Sequence, residues 1–344
     1  MSVIWLLATM VLAAAAFTLW VDGARDKAVD RQQQVDARIR SSNLFHQVLF
    51  TYMTGKQGVE GVAWPGLSAV ATGASAQSVE DFFDGAVSRL TAQTAAGFMK
   101  MNGRVLDAGD GLRVMIQDRA GLIGLSFINK ASVFSVLSDM GAETVSARQL
   151  SHALADYQDH DDLRRVSGGE AYHYKEFGLP APANGFLRTP LQLRSVLHWE
   201  ALLRPLSDAW LLQRFKADGN AAINVNTAQN GAIELVASDL AVAQKIISER
   251  KGRLFYSIFD IPSDAQGAES SFFSIMPSGG LRFWSWHTNH PVAQVYDVQF
   301  DPLVSGQNSW IVNWTTRVVL PDEMAQRAAV KINHPFFHSS SSSY

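Results

Sequence analysis

VIWLLATMVLAAAAFTLWV, residues 3–21, is an apolar run that passes into DGARDKAVDRQQQVDARIRSSNLFHQVLFTYMTG, residues 22–55, where charge and apolarity recur with helical period. The apolar part, at about 1.5 Å per residue, spans roughly 28 Å, close to the hydrocarbon thickness of a bilayer. Thr9 and Thr18 interrupt it, and a helical Thr can bond its hydroxyl to the preceding turn. From Asp26 onward Ala28, Val35, Ile39, Leu44, Phe45, Val48, Leu49 and Tyr52 fall near one face, with Arg, Asp and Gln opposite. The pattern predicts one long helix, a membrane anchor in its first 24 residues and amphipathic beyond, stopped by Gly55. The competing reading is a cleaved signal peptide, with an apolar core of about 7–15 residues behind a basic segment. Ala13–Ala16 offers small residues for cleavage, but no Lys or Arg precedes this longer run, so a retained anchor is expected.

Outward from that helix, composition narrows the field. The chain has 344 residues, 47% of them hydrophobic, enough for real cores beyond the anchor. A net charge of −3 gives no overall electrostatic footprint for nucleic acid. The absence of cysteine excludes disulfides, thiolate metal sites and a Cys nucleophile. There is no G-x-S-x-G, phosphate loop or HExxH, so an enzyme is not expected.

The stretch around TGASAQS, residues 72–78, reads as loop, with a short helix around 79–95. LRVMIQD at 112–118 and LIGLSF at 122–127, separated by Arg119, Ala120 and Gly121, predict a hairpin. From 130 to 277 the texture turns helical, at 131–140, 147–157, 191–203 and 241–250. Strands return at 293–300 and 310–320, where Pro321 ends the ladder. Both strand sets need one sheet to bury their faces, so the helical block reads as an insertion into a sheet domain. That gives an anchor at 1–24, a sheet domain at 25–129 and 278–325 around a helical domain at 130–277, and a low-complexity, disordered tail at 326–344.

Three stretches carry a family resemblance. GLRVMIQDRAGLIGLSF at 111–127 resembles the V-x-V-x-D-x-x-G-x-I-x-L opening of the general secretion pathway protein K family, the large minor pseudopilins of type II secretion systems. ALADYQDHDDLRRVSGGEAYHYKEFGLPAPANGFLRTPLQLRSVL at 153–197 is similar to that family's acidic G-A-E block, and AINVNTA at 222–228 to its I-N-V-N-T-A. Tyr157, Gly169, Ala181 and Gln192 stand where the family has Trp, Ala, Tyr and Glu. The resemblance implies an α+β, pilin-like fold: a long N-terminal helix on a small antiparallel sheet, with an inserted all-α domain of SAM or helix-hairpin-helix type. It implies assembly with other minor pseudopilins and the type II secretion machinery at a pseudopilus tip. It also implies a single pass through the inner membrane, a periplasmic globular part, and no small-molecule substrate. Family precursors carry a basic leader ending in Gly, which is not seen before this apolar run. Trp5 stands fifth, where most pseudopilins have Glu and the tip subunit does not.

Asp156, Asp159 and Asp161, with Glu170 downstream, are the metal candidates, because several hard carboxylates suit Ca²⁺. The alternative is a solvated acidic loop balanced by Arg164 and Arg165, and the pattern is no EF-hand. The family resemblance implies structural calcium in the helical domain. LVASDLAVAQKIISERKGRLFYSIFDI at 235–261 is similar to a helix-hairpin-helix unit, which grips phosphate on backbone N–H groups. That leaves a membrane-tethered DNA-binding protein for uptake as the rival reading. Ala237, Ser238 and Asp239 occupy its hairpin, however, and a carboxylate stands where phosphate would approach, so no nucleic-acid partner is expected. His287 and His290, near Trp284 and Trp286, read as an aromatic loop, since no third ligand accompanies them.

Overall fold

A computed structural model of the protein describes residues 2–63, 98–125, 136–137, 140–218, 222–237, 239–262, 273–275, 277, 279–300 and 309–331. Two compact units divide the chain, residues 1–48 and 49–344. The described residues of the first are all helical and belong to helix α1, Ser2–Thr54, 53 residues long. It ends where the sequence predicts, with the Gly55 N–H donating to the Thr51 carbonyl at 2.8 Å.

The second unit holds a six-stranded sheet. Its strands are β4 (Asn102–Asp107), β5 (Leu112–Asp118), β10 (Gly280–His287), β11 (His290–Phe300), β12 (Trp310–Val319) and β13 (Val330–Lys331), in the order β12-β11-β10-β5-β4-β13. All pairings are antiparallel except β13 on β4. The turn from β4 to β5 uses Gly109, Asp110 and Gly111, all at positive φ. β10 is buried at every position from Gly280 to Trp286, Arg282 and Ser285 included, whereas β12 lies at an edge and exposes most of its residues. A smaller three-stranded sheet joins β1 (Gln57–Gly58), β2 (Gly61–Ala63) and β3 (Phe98–Lys100). The segment expected to hold a loop and short helix, 72–95, lies outside the described residues, as does most of 131–140.

The hairpin expected over 112–127 does not form. β5 pairs with β10 and β4, while β6 (Ile123–Gly124) pairs in parallel with β7 (Phe215–Lys216) inside the helical region. The reason is local. Asp118 accepts a hydrogen bond from the Ala120 N–H at 2.9 Å and caps a 3₁₀ turn over Arg119–Gly121, which is buried and redirects the chain instead of reversing it. The start of the expected tail is also ordered. Helix α8 (Asp322–Ala325) and β13 follow β12.

The strands thus enclose a sequence that is mostly helical. Helix α2 (Thr144–Gln158) buries Ala147, Leu150, Ala153, Leu154 and Tyr157 at helical spacing. Helices α3 (Ala171–Glu176), α4 (Trp199–Leu203), α5 (Asp208–Arg214), α6 (Asn230–Val236) and α7 (Leu240–Gly252) close over the same core. Two short strands, β8 (Ile223–Asn224) and β9 (Phe273–Ser274), pair in parallel within this region. The indole N–H of fully buried Trp199 donates to the Leu150 carbonyl at 2.9 Å, so this large ring enters the core with its polar atom satisfied. Helix α5 ties the two cores together. Its Leu211 packs in the helical core, while Ala209 and Leu212 join Trp284, Trp286 and Val295 of the sheet.

Candidate functional site

In α1 the large apolar residues from Val3 to Val21 are all exposed, from 39% at Val21 to 74% at Trp5 and Leu19. The helix is long and apolar enough to cross a membrane. Its two threonines are satisfied within it: the Thr9 hydroxyl donates to the Leu6 carbonyl and the Thr18 hydroxyl to the Ala14 carbonyl, each at 2.9 Å. Hydrocarbon offers no other acceptor, so that arrangement is compatible with lipid.

The motifs at 111–127 and 222–228 meet in space. Asp118, 1% exposed at the end of β5, accepts from the Thr227 hydroxyl at 2.9 Å and from the Asn224 side-chain amide at 3.2 Å. Asn224 also receives the Asn226 backbone N–H at 3.0 Å. Asn226 in turn exchanges two hydrogen bonds with the Phe255 backbone, at 2.8 and 2.9 Å. A side chain on Gly121 would meet the Ala228 and Thr227 backbone at 2.9–3.0 Å, so only glycine allows the two segments to touch. Family-like Asp, Gly, Asn and Thr residues therefore dock the helical region onto the sheet.

A buried ion cluster reinforces that joint. Arg282 of β10 is fully buried and donates to one oxygen of Asp297 in β11 at 2.9 and 2.6 Å. Its remaining nitrogen reaches the Leu212 and Phe215 carbonyls at the end of α5. The other Asp297 oxygen accepts from Asn313 at 2.8 Å and lies 3.1 Å from the Arg119 guanidinium, which also pairs with Asp218. Burial alone raises a carboxyl pKa, but Arg282 and Arg119 override it and hold Asp297 below its ordinary value. Nearby Lys216 is pushed down to about 8, first by burial and then by Arg119. Nothing in the spacing of these residues announced the cluster, because its members are brought together from five separate stretches.

The acidic segment is arranged differently. Asp156 is fully buried, accepts from the Arg165 guanidinium at 2.6 Å and from the Arg165 backbone N–H at 3.1 Å, and Asp159 pairs with the same guanidinium. Any side chain on Gly168 would collide with Asp156, which explains the glycine. Asp161 accepts from the Leu163 N–H at 2.8 Å and remains exposed. Glu170 is 7% exposed, and both of its carboxyl oxygens lack a hydrogen-bond partner, as does one oxygen of Asp159. Burial, then the charges of Asp156 and Asp159, push Glu170 up to about 7. The structure thus joins Asp156 and Asp159 through Arg165, leaves Asp161 in its own turn, and places Glu170 within their field. Among the described residues no three His, Asp or Glu side chains form a ready metal-binding group.

Asp239, the carboxylate at the hairpin between α6 and α7, accepts from the Ala241 N–H at 2.7 Å and so caps α7 itself. His287 and His290 belong to the tight turn between β10 and β11, where His287 Nε2 lies 3.0 Å from the Asp110 carbonyl.

The chain has a helix long and apolar enough to cross a membrane and, in its second unit, helices that lie in sequence between the strands of one mostly antiparallel sheet, which makes it an α+β protein. Residues 129–206 match the family described as "Type II secretion system (T2SS), protein K". Over that segment, less than a quarter of the chain, it is similar to the protein K family. Among solved structures, a chain in "The Crystal Structure of the GspK-GspI-GspJ complex from enterotoxigenic Escherichia coli Type 2 Secretion System" is similar over 81% of this chain and 99% of that chain, at a TM-score of 0.46 and 15% identity. No curated protein gives a match.

Proposed function

We propose that this chain is held in the bacterial inner membrane by residues 1–24, keeps its globular part in the periplasm, and caps or initiates a type II secretion pseudopilus with other minor pseudopilins. The observation that carries this reading is the protein K match at 129–206, lying between strands of a single sheet. The role is assembly rather than catalysis. Val29, Val35 and Ile39, each about half exposed, continue an apolar stripe on α1 beyond the membrane-length run, and such a stripe suits packing against partner helices. Full-length chain in detergent, mixed with the two other minor pseudopilins of the same organism, should give a stable heteromeric complex by light scattering at micromolar concentration. Three separate species there would overturn the reading.

We further propose a structural Ca²⁺ ion on the acidic segment, held by Asp156, Asp159 and Glu170, with Asp161 at its margin. The support is the three carboxylate oxygens on Asp159 and Glu170 that lack a hydrogen-bond partner, which a hard cation would satisfy. Bound there, it would neutralise charge that Arg165 offsets only in part. Millimolar Ca²⁺ should raise the melting temperature relative to chelator, and Asp159→Ala should remove that difference. Equal melting temperatures in both conditions would reduce the segment to an acidic loop balanced by arginine.

A further inference from the structure

Beside the joint of sheet and helices lies a cleft of about 990 Å³, lined in part by the motif at 222–228 and by the stretch at 235–261. It runs between β4, the end of α5, the start of α6, the end of α7 and the segment just before β13. Its charge is lopsided. Lys100, Arg104, Arg214, Arg250, Lys251 and Arg327 line it, together with Arg253, against one carboxylate among the described residues, Glu60. That is a dense positive surface on a chain whose net charge is −3.

Some of these cations already have work in the fold. Glu60 pairs with Lys100 at 2.9 Å, and Arg253 with Glu249 at 2.8 Å. Arg250 donates to the Val225 carbonyl at 2.8 Å, and also to the Ala228 carbonyl and the Asn230 side chain. Arg214 lies over the Trp210 ring at 4.3 Å. Burial, then the charge of Arg327, push the Arg214 guanidinium down to about 10, so these cations crowd one another. Arg104, Lys251 and Arg327 are exposed, and among the described residues none of the three makes an ion pair. They come from three distant stretches of chain, which a solvated charged face on one helix would not produce. On the cleft wall the side-chain N–H₂ of Gln229 is buried without an acceptor, a donor with nothing to give its hydrogens to.

We propose that this cleft binds an acidic peptide segment. Guanidinium groups match carboxylates in geometry, and the orphan Gln229 amide can donate to a peptide carbonyl. Phosphate sites are characteristically built on backbone N–H groups at helix N-termini. The cleft does take in the first residues of the short helix α6, but α7 presents its C-terminal end there, whose carbonyls can accept from peptide N–H groups and repel a phosphate. Ile247, Leu254 and Tyr256 add apolar wall that a small inorganic anion would not use. The cleft reaches the upper end of the size range of ordinary ligand pockets, room for several residues of an extended chain.

The test uses the full chain in detergent micelles and a fluorescein-labelled peptide of alternating Glu and Leu, with its Gln counterpart as control, read by fluorescence anisotropy. The Glu peptide should bind, more weakly as salt rises, and the Gln peptide should not. Arg104→Glu, Lys251→Glu and Arg327→Glu combined should lower affinity by about tenfold or more. Arg148→Glu with Lys175→Glu, on exposed sites outside the cleft, should leave it unchanged. Melting curves verify that each variant is folded. Equal binding of both peptides, equal loss in the two variants, or no binding would overturn the proposal. So would more effective displacement by tripolyphosphate or a single-stranded oligonucleotide than by unlabelled Glu peptide, which would make the cleft a phosphate site.

Discussion

Asp297 and Glu170 are both carboxylates shut away from solvent, and they live under opposite conditions. Around Asp297 every oxygen has a donor or a cation, two arginines override the cost of burial, and the carboxyl stays ionised. Around Glu170 no oxygen has a hydrogen-bond partner, burial and the charges of other carboxylates act on it, and its pKa rises to about 7. Charge that is closed on itself makes a rigid joint, here between sheet and helices. Charge left open makes a region whose stability should follow pH.

That contrast can be broken most severely at Arg282. Arg282→Met leaves Asp297 buried with half its compensation, and should cost about 3–5 kcal/mol in urea denaturation of the full chain. A loss under 1 kcal/mol would mean that the cluster is not the joint described here. In the open region the largest steric effect belongs to Gly168→Ala, whose new methyl collides with Asp156. It should cost about 1–3 kcal/mol and displace Asp156 from Arg165, visible in the chemical shift of the Arg165 amide.

Titration sharpens the comparison further, because the two regions shift in opposite directions. The folded value of Glu170 lies above the ordinary 4.5, so its contribution is fully present below about 4.5 and is lost as pH climbs to about 7. Glu170→Gln should flatten the stability profile across that window, and raise stability at pH 8 by on the order of 1 kcal/mol, a few degrees in melting temperature. Lys216, beside the closed cluster, has its folded value lowered from 10.5 to about 8. Stability should therefore rise from pH 8 toward 10.5, and Lys216→Met should remove that rise; a profile unchanged by the substitution would count against the assignment. The smallest effect is expected where neither kind of burial operates. Arg204 and Glu200 form an exposed pair at 3.0 Å, and Arg204→Ala should change stability by no more than about 0.5 kcal/mol.

Much of this architecture is legible in the chain. The apolar run of residues 3–21 and the Gly55 stop predict α1, and alternation at 293–300 and 310–320 predicts the paired strands β11 and β12. The motifs at 111–127, 153–197 and 222–228 are visible as motifs, but why they need their residues is not. Asp118 reads as the start of a hairpin turn until Asn224 and Thr227 are seen on its carboxylate. Turn chemistry in Asp118–Gly121 is real, and its outcome differs because the buried 3₁₀ turn finds a better partner more than a hundred residues away than it has next door. The acidic segment is equally two-sided: its carboxylates are countable in sequence, whereas the capture of Asp156 and Asp159 by Arg165 and the isolation of Glu170 depend on how the chain folds back.

By itself, then, the sequence determined what depends on near neighbours: the membrane-length helix, the periodic helices, the alternating strands, and the lack of any thiol chemistry. Tertiary structure alone decided which charges are compensated, which glycines must be glycine, and that cations from β4, α7 and the segment before β13 share one cleft. The physical reason is that periodicity reports burial along a few residues, while electrostatic compensation and close packing are properties of groups brought within a few ångströms from distant parts of the chain.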